Sequence, residues 1–479
     1  MRMNLLDISR LLGVVCVGMS AEEALTRPTG AAIDSRKVRK GNLFFCLPGE
    51  HVDGHDYAAA AIENGALAVI GTRNPFTKRS KKNRPPVLVV HNVPAALATV
   101  AAAHRRTAAG VVVGVTGTSG KTSVKETLAS VLGIAGRTAK NPVNLNNQIG
   151  LPLSMLNAPE DAAYWVMEAG ISRPHDMDEL GAMLRPDLAL ILNAGAGHVQ
   201  ELGDRGVAHY KARLLAYLAS NGLGVVSADY PDLEREARGY DADVTYFSAT
   251  DSEEKYFASY LGPEGLDRGT FHLALDGEAV TVNAPFCGAY GAENVAAIGA
   301  VAHSLGLTAS EIAEGFAAAS LPAQRFALRE LDGFLLIDDS YNANPLSMSR
   351  MLEAASDMAK DRGGDLVLVL GEMGELGPES PHYHYLLGQQ VAALAPKAII
   401  WKGGQGESVR RGLVDDGYAG SYTHVADAAS FTAAFLSADT HSGVVLFKGS
   451  RSNRLEELVT AFTAMAGAGE EEKGRPDAV

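Results

Sequence analysis

The sequence predicts an α/β protein of three domains, with a central P-loop doubly wound domain and a C-terminal Rossmann-like domain. Three observations carry this. The chain has 479 residues, too many for one ordinary core. Short apolar runs alternate with helical patterns in two separate series, the signature of parallel sheets covered by helices. Between an apolar run and a helical pattern lies "VVVGVTGTSGKTSVKE" (111–126), a tight cluster of Gly, Thr and Ser ending in Lys-Thr.

Taken in order, residues 1–108 hold the runs "NLFFCL" (42–47), "LAVIG" (67–71) and "VLVV" (87–90), read as strands. "LLGVVCVGMS" (11–20) is also read as a buried strand. A secretory h-region is disfavoured because Asp7 precedes it and "AEEAL" follows, with no small-x-small cleavage site. "TRNPFTKRSKKNRPP" (72–86), dense in Lys, Arg and Pro, is read as a surface loop, with phosphate binding as the alternative. Residues 109–322 carry "VVVGV", "YWVME" (164–168), "LALILN" (188–193) and "LGVVSA" (223–228) as buried parallel strands, then helices near 294–304 and 310–319. "SLPAQRF" (320–326) is a linker. Residues 323–465 repeat the alternation through "FLLIDDS" (334–340), "DLVLVLG" (365–371), "KAIIWKG" (397–403) and "GVVLFKGS" (443–450). The polar tail, 466–479, is expected to be disordered.

Composition excludes some functions. A net charge of −14 argues against nucleic-acid binding, which needs a basic surface. No run reaches the length of a membrane span, so no membrane insertion and a cytoplasmic location are expected. Cys16, Cys46 and Cys287 lie far apart without metal-knuckle spacing and are read as free thiols. A monomer is expected.

A strand feeding a glycine-rich turn and a helix leaves backbone N–H groups free to bind phosphate oxygens. Gly117 and Gly120 allow close approach, Lys121 supplies a point charge, and Thr122 offers a hydroxyl to magnesium. The general P-loop form places glycine six residues before the lysine, where this chain has Val115. The form here is T-G-T-x-G-K-T. Glu168 ends a strand, where ligands bind in open α/β sheets, and suits a magnesium role; its bland alternative is a solvated strand end. "HYHYLL" (382–387) has metal-like histidine spacing but reads as a helical surface.

"TGTSGKT" resembles the ATP loop of the Mur ligases, bacterial enzymes that build the peptidoglycan stem peptide. "DSRKVRKGNLFFCLPGEHVDGHDYAAAAIENGA" (34–66) resembles their uridine-nucleotide domain, and "NLNNQIGLPLSML" (144–156) their substrate segment. "DDSYNANPLSM" (338–348), "LGEMGELG" (370–377) and "KGSRSNRLEELV" (448–459) resemble the member that adds D-alanyl-D-alanine. The resemblance implies ATP-dependent amide formation through an acyl phosphate, with UDP-N-acetylmuramoyl-tripeptide and D-alanyl-D-alanine as substrates. It implies ATP contacts from Thr116, Gly117, Thr118, Ser119, Gly120, Lys121, Thr122 and Ser123, with Asn294 near adenine and Arg325 and Asp339 from the C-terminal domain. It implies Lys121, Glu168, His198 and Lys211 as catalytic residues, with Thr122, Glu168, His198 and Lys211 as metal ligands for Mg2+. Lys211 would act as a carbamate, which needs an amine of depressed pKa. Ser35 and Arg36 resemble contacts to uridine diphosphate; Asn144, Asn146 and Asn147 contacts to the muramoyl peptide; Tyr341, Asn342 and Asn344 the dipeptide pocket. The chain departs from the family pattern at Val143 and Gln324, where glycine is common, and at Tyr290, where histidine is.

Two rivals remain within the family's reach. The preceding, diamino-acid-adding ligase is disfavoured because "DNPR" is absent and "YNANP" occupies that region. Folylpolyglutamate synthase is disfavoured by the complete N-terminal uridine-type domain. A non-catalytic nucleotide-binding regulator is the alternative of a different class.

Overall fold

The computed structural model describes residues 1–49, 52–77, 85–142, 144–195 and 205–473. Their strands form three sheets of five, nine and six strands, each flanked by helices. The α/β fold class expected from the sequence is the one observed.

In the first sheet Gly30–Ala32, Asn42–Phe45, Ala68–Gly71 and Val87–Val89 run parallel, and Cys16–Val17 adds an antiparallel edge. The reading of 11–20 as a buried strand is corrected. An Asn4–Asp7 capping box starts a helix over Leu5–Leu11, so the strand keeps only two residues and Val15 is 82% exposed. Helix Val93–Thr107 leads to the second sheet. Its Leu97 and Val100 share one core with Leu151, Met155 and Trp165, so the first two units pack without a separate seam.

The second sheet has Val111–Thr116 as the third strand from one edge, between Tyr164–Glu168 and Leu188–Ile191. The chain steps from that strand to one side and returns to the other. Its C-terminal end is therefore a topological switch point, where a crevice opens above the sheet. Helix Gly291–Ser304 covers one face with Val295, Ile298 and Val301, all fully buried. Each such side chain contributes about 1.5–3 kcal/mol by leaving water. Five strands absent from the sequence reading complete the sheet: Asp243–Ser248 and Tyr256–Glu264 continue it in parallel beyond Leu223–Ser227, Arg268–Leu275 and Glu278–Ala284 follow antiparallel, and Thr138–Lys140 forms the other edge.

In the third sheet Phe334–Asp339, Gly443–Lys448, Asp365–Gly371, Ala398–Lys402 and Ser421–His424 are parallel, with Ala327–Leu331 antiparallel at the edge. The final helix spans Glu456–Lys473. It continues well into the tail expected to be disordered; 474–479 lie outside the described residues. The "HYHYLL" segment is helical, but His384 is fully buried rather than on the surface. Its Nε2 accepts from the Met373 N–H at 3.0 Å and its Nδ1 lies 2.7 Å from the Ser380 carbonyl, so it acts as a satisfied core residue.

Candidate nucleotide and ligase site

The turn Gly117–Gly120 stands on the switch point, and helix Lys121–Ala135 starts directly after it. Gly120 has φ 80°, a left-handed conformation that glycine adopts without strain. A Cβ there would also come within 2.9 Å of Asn294 Oδ1, so the turn fits closely against the buried helix behind it. Asn193, just past strand Leu188–Ile191, braces the turn. Its Oδ1 accepts from the amides of Thr118 (2.8 Å) and Ser119 (2.9 Å). Lys121 Nζ folds back to donate to Gly117 O at 2.8 Å, and burial lowers its pKa.

Thr122 Oγ1 donates to Glu168 Oε2 at 2.9 Å, and Asn146 Nδ2 donates to Glu168 Oε1 at 2.7 Å. Glu168 is buried. Asn141 locks its backbone, accepting from Glu168 N at 2.8 Å and donating to Glu168 O at 3.1 Å. Thr122 and Glu168 thus present hard oxygen donors side by side at a helix start, the donor chemistry magnesium takes. His198, expected as a further ligand, lies outside the described residues. Among the described residues no three His, Cys, Asp or Glu side chains form a metal-sized cluster.

Lys211 lies behind the loop rather than on the cavity wall. It is 1% exposed and donates to Gly117 O at 2.9 Å, sharing that carbonyl with Lys121. Burial first, and then the Lys121 charge, push its pKa well below the ordinary lysine value. This is the condition a carbamate-forming amine requires.

The third unit closes the crevice. Arg325 Nη2 reaches Thr122 Oγ1 at 3.4 Å, and its guanidinium stacks 3.9 Å from the Tyr341 ring centroid. Its neighbours Gln324 (φ 62°) and Phe326 (φ 56°) are both left-handed without being glycine, so the linker is held in a strained form around Arg325. Asp339 accepts from the Phe326 N–H at 3.1 Å and pairs with buried Lys448 at 2.5 Å; the two face each other across adjacent strands. Asn344 caps helix Pro345–Arg362 through Ser347 N and donates to Thr118 O at 3.2 Å, so both ends of its carboxamide are in use.

A cavity of about 360 Å³ results. Its walls include Thr118 to Ser123, Asn144, Asn146, Asn147 and Glu168 from the second unit. Arg325, Asp339, Tyr341, Asn342 and Asn344 come from the third. Phe286, Tyr290, Leu321, Phe326 and Met351 give it an apolar side beside Asn294. Two buried polar atoms in these walls, Asn294 Oδ1 and Arg325 Nε, have no hydrogen-bond partner, nor has the Tyr290 hydroxyl. Unpaired buried groups are costly, and a ligand in the cavity would relieve them. Asn144 has φ 71°, while Asn147 Oδ1 accepts from Gly150 N at 2.9 Å and starts the next helix.

Thr116, at the strand end, and Gly117, at the start of the turn, do not line the cavity. Ser35 and Arg36 are elsewhere, on a short turn after strand Gly30–Ala32. There Arg36 makes a two-pronged contact with Asp34, at 2.9 and 2.8 Å, and holds that carboxyl down to about 2. Sequence reasoning missed Asn141, Asn193, Glu293, Arg350 and Lys448. Each is a single polar residue in an apolar or unremarkable context.

Comparison with known proteins gives a consistent result. Residues 28–105 match the model described as Mur ligase family, catalytic domain. Residues 115–302 match the Mur ligase middle domain, and 324–451 the Mur ligase, glutamate ligase domain. The chain is 30% identical to the UDP-N-acetylmuramoyl-tripeptide–D-alanyl-D-alanine ligase of Bacillus subtilis, over 90% of this chain and 92% of that one. Among solved structures, MurF from Acinetobacter baumannii superposes with TM-score 0.82 at 26% identity, covering 95% and 98% of the two chains. MurF from Thermotoga maritima in complex with ADP gives TM-score 0.79 at 27% identity, covering 92% and 98%.

Proposed function

Because the chain belongs to the Mur ligase family, we propose that it joins D-alanyl-D-alanine to UDP-N-acetylmuramoyl-tripeptide in an ATP-dependent amide ligation through an acyl phosphate. The observation that carries this is the cavity between the second and third units. There a phosphate-binding turn, an oxygen pair suited to magnesium and an arginine with an unpartnered Nε meet. Working units of 1–108, 109–322 and 323–465 assign the sugar nucleotide to the first, ATP to the second and closure to the third.

The chemical difficulty is electrostatic. A substrate carboxylate must approach a triphosphate, and both are anionic. Lys121, Arg325 and the amides at the start of helix Lys121–Ala135 supply the offsetting positive potential. Thr122, Glu168 and His198 would hold magnesium, which supplies Lewis-acid polarisation of the phosphoryl group when bound. Buried Lys211, its pKa lowered by burial, would take up carbon dioxide with loss of a proton, and the resulting anionic carbamate would help hold the metal. Asn294 and the apolar wall around Tyr290 receive the base, and Asp339 the ribose region. Ser35 and Arg36 hold the uridine diphosphate end. Asn144, Asn146 and Asn147 orient the peptide carboxylate, and Tyr341, Asn342 and Asn344 the incoming dipeptide. Closure of the third unit keeps water from the acyl phosphate. All these groups come from one chain, so a monomer suffices. Among the described residues no helix is long and apolar enough to cross a membrane. ATP and a nucleotide-linked precursor suit cytoplasmic work.

The test is phosphate release from ATP with magnesium and UDP-N-acetylmuramoyl-tripeptide, with product mass confirmed. D-alanyl-D-alanine is compared with meso-diaminopimelate, L-lysine and no acceptor. Turnover with the dipeptide alone, giving the pentapeptide, is expected. Turnover with a single amino acid on the shorter UDP-dipeptide precursor would move the enzyme one step earlier. Bound ATP with no turnover in any arm would leave the regulator reading.

A further inference from the structure

Behind the phosphate turn runs a line of polar contacts that ends in the third unit. Asn193 uses its whole carboxamide: Oδ1 accepts the Thr118 and Ser119 amides, while Nδ2 donates to Ser119 O at 3.2 Å and to Glu293 Oε2 at 3.1 Å. Two N–H groups face the oxygen and two acceptors face the nitrogen, so only one orientation of the amide satisfies all four. Glu293 is 4% exposed in the first turn of helix Gly291–Ser304, among apolar neighbours. A carboxylate buried there needs a cation. The cation is Arg350, on helix Pro345–Arg362 of the third unit. Its Nη2 lies 2.7 Å from Glu293 Oε2 and donates to the Tyr230 hydroxyl at 2.8 Å.

We propose that Arg350 is a positioning residue that couples seating of the third unit to the phosphate-binding turn, acting through Glu293 and Asn193. This rests on the nucleotide-site reading and deepens it. Two further contacts place the same helix against the same turn. Asn344 donates to Thr118 O, and the side chain of Leu346 is packed so closely on Gly195 that a Cβ there would meet it at 2.9 Å. Thr118 Oγ1 donates to Gly195 O at 3.0 Å, which closes the loop of contacts. When the third unit withdraws, Glu293 loses its guanidinium, and its Oε1 already has no partner. The carboxylate is then left facing Asn193 and Tyr230 alone. A buried carboxylate in that position turns toward water or draws water in, and that movement takes away the acceptor that fixes the Asn193 amide. The Thr118 and Ser119 amides lose their brace, and the turn loses its preset shape. Phosphate binding and closure are therefore linked, and by reciprocity a bound nucleotide favours closure.

The test uses the full chain and ADP with magnesium as the probe. Arg350→Met removes the charge, and Glu293→Gln removes the need for it while keeping an acceptor for Asn193. Arg350→Met should weaken ADP binding about tenfold, within the usual range of coupling between sites. Adding Glu293→Gln should restore most of the lost affinity, because the uncompensated carboxylate is gone. Arg350→Lys should keep affinity within about threefold of wild type, since the cation remains. Amide exchange at Thr118 and Ser119 should quicken in Arg350→Met and slow again in the double variant. Should Arg350→Met not fold, Arg350→Ala in the Glu293→Gln background carries the comparison, with near wild-type affinity expected. Affinity within about twofold of wild type in Arg350→Met overturns the coupling, as does a double variant whose losses simply multiply. Wild-type protein that binds no nucleotide removes the nucleotide reading itself, and the coupling with it.

Discussion

Arg325 offers the sharpest separation of function from stability. In the structure its guanidinium makes one long contact, 3.4 Å to Thr122 Oγ1, and stacks 3.9 Å from the Tyr341 ring, while Nε is buried without a partner. Replacing it by methionine forfeits a cation–π contact of about 0.5–2 kcal/mol. The same change removes an unsatisfied buried donor that costs about 1–3 kcal/mol. The two nearly cancel, so the ligand-free variant should unfold within about 1 kcal/mol of wild type. Catalysis should respond quite differently. Two charge-assisted hydrogen bonds to a phosphate oxygen are worth about 1.5–3 kcal/mol each. Losing them should lower kcat/KM for ATP by about 10²-fold or more. Arg325→Lys keeps the charge but not the fork and should recover part of the loss. Steady-state phosphate release gives the kinetic number and urea unfolding the stability. A kcat/KM within about threefold of wild type, or a stability loss that matches the catalytic loss, would refute the assignment.

Four further outcomes follow from the same geometry. Lys211→Ala should abolish turnover, and a small carboxylate such as formate or acetate should restore part of it; no rescue would count against a carbamate. Because burial lowers the Lys211 pKa in the folded state, the unfolded chain binds the extra proton below the ordinary lysine value, and stability due to this group rises with pH toward that value. Lys211→Met should therefore stabilise the ligand-free protein more at pH ~7 than at pH ~10, read from unfolding midpoints at both. Asp339→Asn should destabilise the third unit by about 3 kcal/mol, because Lys448 is 1% exposed and would lose its ion-pair partner. Buried Trp401 reports that unit's unfolding by fluorescence in a Trp165→Phe background; an unchanged midpoint would mean that Asn342 O satisfies Lys448 alone. Tyr290→Phe deletes a buried hydroxyl without a partner and should stabilise the ligand-free protein by about 1 kcal/mol, while ADP affinity falls if that hydroxyl serves the base.

The parallel strands were legible because both of their faces are buried, so each reads as an unbroken apolar run between glycine-rich turns. Strand Arg268–Leu275 was not, although its burial alternates residue by residue and its turn to the next strand passes through Asp276 (φ 44°) and Gly277 (φ 97°). That Asp-Gly pair is a hairpin signal. It is obscured because Arg268, Thr270 and His272 interrupt the apolar residues, so no continuous run marks the strand. The N-terminal helix was misread for the opposite reason. Leu11 and Leu12 continue into Val14 and Val15 as an apolar run, but the Asn4–Asp7 cap starts the helix earlier and Gly13 ends it.

In the site, legibility follows contiguity. The phosphate turn, Lys121 and Thr122 are one segment, and one strand-to-helix geometry determines what they can do. Glu168 and Asn146 meet over a gap of 22 residues, which a strand-end argument can suggest for each but not for the pair. Asn193 and Glu293 are 100 residues apart, and Arg350 comes from another unit. One clue was present in "GAYGAENVAAIGA": a carboxylate at the head of a helix too apolar to be exposed. Burial physics requires a cation for it. The chain offers 42 lysines and arginines, and nothing local distinguishes Arg350 among them. The clue therefore predicts that a partner exists and that the partner matters, while its identity depends on how the third unit is seated. A residue whose counter-charge arrives only with domain closure is thus poorly legible in sequence for the same reason that it can report closure.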